Sequence, residues 1–497
     1  MIHRLLGCNF IRVVYNEHEE NVFSEVCMKR ILLQNFEWYM KPETNLWAEI
    51  ARDAYQYAQD GITESWLPPA YKAKNGINDV GYGVYDLYDL GEFNQKNTVR
   101  TKYGTCSEYE QAIKALQAQR IKVYADIVLN HKMGADGVER VNATVSHATN
   151  RLNMKHQTEI EAWTVFNFDN RNNMYSDFKW NKHHFKAVDF DHRSKTSEIY
   201  LFDGKSWSEN IDVELGNYDY LMGADIDVSN PEVRQHLKDW GHWYTKRFGL
   251  DGYRIDAVKH IDFDFYYEWL QEMQSEAPKF AVGEYWSPDL RALHNYLQET
   301  QYSMSLFDVP LHFNFHIASF LGDNYDLRKI FNGTLVATQP DFAVTFVDNH
   351  DTQVGQSLES YVKHWFRYHA YALILLRTEG VPCVFYPDYK THLPKLARMM
   401  RVSHRLNGKQ FDMIDDTHVI GWSFDGDYPG AVVMSNRYNS IKKMYVGKQH
   451  AGKEFVDLME HTEGVVTINE KGIGLFPVAA KVCSVYITKE NYHESIL

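Results

Sequence analysis

Cysteine is scarce. The chain has five, Cys8, Cys27, Cys106, Cys383 and Cys483, widely spaced and with no Cys-x-x-Cys. An odd count so dispersed argues against a disulfide framework or a zinc site and for a reducing compartment. Positive charge is also in short supply: 52 Lys and Arg stand against 66 Asp and Glu, a formal net charge of −14. That balance argues against a nucleic-acid partner and against an anionic membrane surface. No apolar run approaches the roughly 18 residues of a membrane span. Nor do the first residues read as a secretory leader: Leu5-Leu6 and 11–14 are short apolar runs, and Glu17, Glu19, Glu20 and Glu25 follow them. A cytoplasmic location is expected. Met28 immediately precedes a strand-like run, Ile31-Leu32-Leu33. Residues 1–27 are therefore read as an N-terminal extension, or as an upstream start that the native protein does not use. There is no internal repeat and no low-complexity linker.

What is abundant is aromatic surface, 14% of the chain, with 12 Trp and 33 Tyr. Such rings fill large cores, and they also stack on sugar rings. At 497 residues, 44% hydrophobic and 24% charged, the chain is globular and too long for one core. Two or three domains are expected, in a monomer.

From Met28 the pattern alternates strand and helix: strands at 31–36, 62–67 and 121–129, helices at 47–59 and 108–119. After Leu129 about 120 residues pass before the next strand near Asp251, where one strand–helix unit takes about 30. Residues 132–221, polar and aromatic, read as an irregular β-rich subdomain inserted after strand 3. The alternation then resumes, with strands near 252, 280, 306, 343 and 381 and helices at 263–273, 290–297, 361–376 and 395–406. Eight strand–helix units predict a closed (β/α)₈ TIM barrel over 28–131 and 222–407. Short runs separated by turn signals over 408–497 predict an antiparallel β-sandwich.

The segment Gly249 to His260 concentrates charge: Asp251, Arg254, Asp256, Lys259 and His260. On a strand, Arg254 and Asp256 share a face, close enough for a charge-assisted bond that keeps Asp256 ionised. A structural ion pair at a strand end would use the same two residues. Three further strand ends carry acids or His: Asp126 to His131, Glu284, and His350-Asp351. Barrel enzymes place their chemistry at that end of the strands. Three carboxylates held together, Asp256, Glu284 and Asp351, imply work on a developing positive charge, as in glycoside hydrolysis. Strands 4 and 5 are neighbours, so carboxyls about 5–5.5 Å apart and retention of configuration are expected. Asp256, beside Arg254, is the group to stay charged; Glu284 is the one whose pKa should rise, to serve as acid and then base.

These segments resemble the four signature regions of the α-amylase family: 126–131, 249–260, 282–286 and 346–351. The similarity covers most of 28–490 and extends to Gly81-Tyr82-Gly83-Val-Tyr-Asp-Leu-Tyr-Asp-Leu and Gly216-Asn-Tyr-Asp-Tyr-Leu-Met. It is strongest toward bacterial liquefying-type members, including non-secreted ones. The resemblance implies retaining endo-hydrolysis of α-1,4 bonds in starch, glycogen or maltodextrins. Asp256 then matches the nucleophile, Glu284 the acid/base and Asp351 the third acid. Arg254 matches the nucleophile's partner, His131 and His350 donors to sugar hydroxyls, and Tyr82 a stacking platform or a core residue. Lys259 and His260 match contacts on the leaving-group side, and Asp126 a brace for Arg254. One structural Ca²⁺ is implied, on the Asn130 side chain, Asp219, Asp225 and the His260 carbonyl, all oxygen donors. Liquefying members add a second calcium and a sodium, and there the chain departs. Lys186, Ser208 and Ser229 stand where Asp is expected, and only Asp227 remains. The second calcium should be lost, with the Lys186 ammonium replacing the monovalent cation. An oligosaccharide-specific or transglycosylating relative, and a non-catalytic glucan-binding protein, are the competing readings.

Overall fold

The computed structural model describes residues 10–14 and 25–496. Most of the expected 1–27 extension lies outside the described residues; Phe10–Val14 pairs antiparallel with Glu25–Lys29. Eight short strands follow: β1 (Leu32–Gln34), β2 (Glu64–Leu67), β3 (Lys122–Ile127), β4 (Gly252–Ile255), β5 (Phe280–Gly283), β6 (Ser305–Phe307), β7 (Ala343–Phe346) and β8 (Val381–Phe385). They hydrogen-bond in chain order as a closed barrel. The pairs with stated register are parallel, Arg254 standing opposite Asp126 on β3 and Val282 on β5. Nearly every barrel residue is buried, which is why these strands read as apolar runs. Gly252 is required: a Cβ there would lie 2.3 Å from the Phe280 carbonyl oxygen.

Eight helices of eight or more residues follow the barrel strands: α1 (Leu46–Gln59), α2 (Cys106–Ala118), α3 (Pro231–Phe248), α4 (Phe263–Met273), α5 (Leu290–Glu299), α6 (Val309–Leu321), α7 (His364–Leu375) and α8 (Leu396–Ser403). A capping box between Thr105 and Glu108 opens α2, and Asp262, Asp289 and Asp308 cap α4, α5 and α6. The sequence reading assigns no helix to α3 or α6. Yet α3 carries its own punctuation: Asn230 caps it, Pro231 starts it, and Gly249 at φ +60 ends it. Its Trp240 is fully buried and donates to the Leu87 carbonyl at 2.9 Å. Burying such an indole contributes about 4–6 kcal/mol at most.

By internal packing the chain forms two compact units. One comprises Tyr39–Tyr55 and Ser65–Leu306. It holds a six-stranded sheet in the order 150–165, 137–147, 199–202, 185–188, 224–226, 131–132. The expected irregular insertion is thus more regular than its composition implies, because Gly137–His147 and Asn150–Val165 form one long hairpin. Ala187, Leu201, Trp207 and Tyr220 form a small core beneath it.

The other unit takes the chain up to Trp38, Gln56–Glu64 and Phe307–Leu497. Its C-terminal part is an antiparallel six-stranded sheet with a two-stranded sheet, 440–445 and 473–478. Val433, Met444, Phe455, Phe476 and Tyr486 from both sheets share one core. Among the described residues no helix is long and apolar enough to cross a membrane.

Candidate active site

Arg254 is the hub. It sits on β4, fully buried, with its side chain on the same strand face as the residue that follows the strand, Asp256. Its Nη1 donates to Asp126 Oδ1 at 2.8 Å and to Asp256 Oδ1 at 2.6 Å, and its Nη2 to Glu284 Oε2 at 2.5 Å. Glu284 directly follows β5, so strand neighbourhood delivers it to the same guanidinium. Asp126 also accepts from Trp66 Nε1 at 3.0 Å and from the Tyr82 hydroxyl at 2.8 Å. Asp126 is thus the brace expected of it. Tyr82 is partly buried with its hydroxyl on that brace.

Arg254 does not keep Asp256 in the ordinary carboxylate range. Burial pushes Asp256 up to about 6; Arg254 pulls it down, and Asp126 adds to the rise. Three carboxylates share one guanidinium, so its pull is divided. Glu284 is raised as expected, by burial first, against Arg254, and by the Asp256 charge. Glu284 Oε1 is buried and without a hydrogen-bond partner.

Around this pair, His131 gives its Nε2 to the Tyr82 carbonyl at 2.9 Å, and its buried Nδ1 has no partner. A carbonyl only accepts, so the proton is on Nε2 and Nδ1 is an acceptor. Burial pushes the ring's pKa down to about 4, which keeps it neutral. His260 donates Nδ1 to the Tyr218 carbonyl at 2.8 Å. Burial pushes its pKa down to about 3. Lys259, 4% exposed, gives Nζ to Glu214 Oε2 at 2.6 Å and to the Trp286 carbonyl at 3.2 Å.

His350 and Asp351 belong to the other unit. Asp351 is not at a strand end as read: β7 stops at Phe346 and Asp351 lies on the following loop. His350 Nδ1 takes the Gln34 amide at 3.1 Å, and its Nε2 faces Asp351 Oδ2 at 3.3 Å. The rings of Phe36 and Trp38 pack on His350. Asp348, which sequence reasoning missed, anchors this loop. Its Oδ1 accepts from Thr352 Oγ1 at 3.1 Å and from the Val362 amide at 3.0 Å. Burial pushes Asp348 up to about 8 against the pull of Arg367. The signal was present, since Asp348-Asn-His-Asp351 holds two acids and only the second was assigned a role.

The oxygen donors expected to hold calcium are partly brought together. The Ile226 amide donates to the Asn130 carbonyl at 3.0 Å, and Asp225 pairs in register with His131. The side-chain Oδ1 of Asn130 and Oδ2 of Asp225 are buried with no hydrogen-bond partner. Burial, then Asp219, raises Asp225 well above its usual value. Orphaned buried oxygens of this kind are what a bound cation would satisfy. Asp219 is different: its Oδ2 takes Lys186 Nζ at 2.7 Å, and Lys186 also bonds Ser208 Oγ at 2.6 Å. Asp227 Oδ2 takes Lys205 Nζ at 2.6 Å, a partner the sequence did not reveal. Among the described residues no three His, Cys, Asp or Glu side chains cluster as a metal site by themselves.

Comparison with known proteins agrees with this geometry. Residues 53–392 match the family model "Alpha amylase, catalytic domain". An alpha-amylase of Geobacillus stearothermophilus is 48% identical over 479 residues, 93% of this chain and 87% of that one. A glucan 1,4-alpha-maltohexaosidase of Bacillus sp. (strain 707) is 47% identical over 92% of each chain. The cytoplasmic alpha-amylase of Escherichia coli (strain K12) is 39% identical over 92% of this chain and 99% of its own. In fold, the chain is similar to the crystal structure of the Geobacillus thermoleovorans alpha-amylase complexed with acarbose. The TM-score is 0.61 at 18% identity, covering 93% of this chain and 98% of that one. The chain belongs to the α-amylase family of glycoside hydrolases.

Proposed function

We propose that the protein is an endo-acting, retaining α-amylase that cuts internal α-1,4 bonds of starch, glycogen or maltodextrins. The observation that carries this is one guanidinium bonded to two neighbouring carboxyls, of which Glu284 is raised by burial and by the Asp256 charge. In the first step an Asp256 oxygen bonds to the anomeric carbon as the glycosidic C–O bond breaks. Glu284 gives its proton to the departing oxygen. In the second, Glu284 takes a proton from water, the hydroxyl bonds to the anomeric carbon, and the Asp256 ester bond breaks. Two inversions give retention. Arg254 keeps Asp256 able to ionise, and Asp351 is the third acid, stabilising the oxocarbenium-like charge.

Asn130, Asp219, Asp225 and the His260 carbonyl would hold one calcium ion, whose fixed charge would tie the inserted sheet to the segment after β4. The Lys186 ammonium stands in for a monovalent cation. The Escherichia coli relative, named as cytoplasmic, supports a cytoplasmic location. The maltohexaosidase relative keeps a second reading in play, an enzyme of defined product length.

Starch stained with iodine distinguishes these readings. Endo attack removes the colour while few reducing ends have formed, and the first product from maltoheptaose is the α-anomer. A first product of β configuration, or colour that persists while reducing ends accumulate, would refute the proposal.

A further inference from the structure

Residues 210–218 of the inserted segment reach the residues that follow β4 and β5. Asp212 Oδ2 accepts the hydroxyl of Tyr285, the neighbour of Glu284. Glu214 Oε2 accepts Lys259 Nζ at 2.6 Å. The Tyr218 carbonyl accepts His260 Nδ1, its ring meets the His260 ring edge-on at 4.3 Å, and the Lys259 ammonium lies 5.1 Å from the Tyr218 centroid. The Phe263 amide at the start of α4 donates to the Asn210 carbonyl. The loop is braced internally as well. The Tyr218 amide bonds the Asp212 carbonyl at 2.9 Å, and Asp212 Oδ1 takes the Glu214 amide at 2.7 Å. Leu215 is held at φ +56, a conformation a non-glycine residue adopts only when its surroundings impose it.

Within this clamp the Glu214–Lys259 pair is asymmetric. The Lys259 side chain is 6% exposed, that of Glu214 56%. An ammonium has three N–H donors. Two are used, on Glu214 and on the Trp286 carbonyl, and the third has no acceptor among the described residues. We propose that Glu214 is a positioning residue for the leaving-group side of the cleft, holding Lys259 so that its remaining N–H meets a hydroxyl of the departing glucan. This rests on the α-glucan hydrolase reading above. Without the carboxylate, the flexible four-carbon stem of Lys259 has to be ordered by the substrate itself. The pair is present before and during bond cleavage, so its loss weakens binding of ground and transition state alike and falls on KM.

The test is end-labelled maltoheptaose, with KM, kcat and bond-cleavage frequencies measured for wild type, Glu214→Gln, Lys259→Gln and the double variant. Glu214→Gln is expected to raise KM about three- to tenfold with kcat within about twofold. Cleavage should shift toward bonds that leave fewer glucose units on the departing side. The double variant should be no worse than Lys259→Gln alone, because Glu214 acts only through Lys259. Added salt should raise the KM of wild type and leave that of Glu214→Gln flat, since a half-exposed pair is screened. Additive effects in the double variant, or a wild-type KM and cleavage pattern in Glu214→Gln, overturn the inference while the activity stands. A wild type that cuts no maltooligosaccharide overturns the activity, and this inference with it.

Discussion

A guanidinium shared by three carboxylates compensates only one of them. Arg254 bonds Asp126, Asp256 and Glu284 at once. Burial raises Asp256 to about 6, so the folded state binds a proton that the unfolded chain, near 3.8, releases. The stability is full below about pH 4 and is lost as pH rises through about 6. At neutral pH the site therefore destabilises the fold, and Asp256→Asn is expected to stabilise it by about 1–3 kcal/mol at pH 7. The same change should lower turnover by at least about 10⁴-fold. Thermal unfolding at pH 7 and pH 4 checks the first half: the gain must be present at pH 7 and vanish at pH 4. In wild type, kcat/KM should rise with pH through about 6 as Asp256 ionises, and fall again where Glu284 loses its proton. The Arg254–Asp256 bond was legible, because a period of two places both on one face. The bond to Glu284 was not, because it depends on the β4–β5 register, Arg254 opposite Val282. Asp212 and Glu214 were invisible for the same reason: their partners are 45 or more residues away.

Elements were legible in proportion to how locally their signals are written. The barrel strands stand out as short apolar runs buried all round, and α4 runs over Phe263–Met273 as its spacing predicts. The inserted sheet was the opposite case. Its long hairpin is polar, with half-exposed residues and register shifts, so alternation is blurred. Its interior carries buried charge beside its apolar core. Phe185–Val188 carries Lys186 between strands 199–202 and 224–226, and Lys186 is 3% exposed against Asp219 at 2.7 Å. Burial lowers the ammonium, but Asp219, Asp225 and Asp227 together lift it above its usual value. Replacing Lys186 by Met strands these carboxylates in a buried place. The expected loss is about 3–5 kcal/mol, since breaking one partner of a buried pair leaves the other uncompensated. Denaturant unfolding of Lys186→Met measures it, and a loss below about 1 kcal/mol would show the pair to be solvated.

For the whole molecule, counting was enough: eight strand–helix units, a long interruption after the third, and a β-rich tail specified the closed barrel, the insertion and the C-terminal antiparallel domain. What counting cannot supply is how a chain of net charge −14 accommodates the acids it buries. Asp219 and Asp227 are answered by internal cations, Lys186 and Lys205. Asp225 has no such answer, and with Asn130 it keeps oxygens that nothing in the protein satisfies. A single divalent cation there would bind the folded chain and not the unfolded one. Its stabilisation would be about 2.7 kcal/mol at a hundredfold excess over Kd. Metal analysis of the purified protein should therefore give one calcium per chain, and a chelator should lower the thermal midpoint by an amount that added calcium restores. Asn130→Ala should lose most of that calcium-dependent shift, whereas Ser229→Ala, beside the lysine-paired Asp227, should keep it. Two or three ions per chain would mean that the lysines do not occupy the cation positions, and an unfolding midpoint indifferent to chelator would mean that the orphaned oxygens hold no metal.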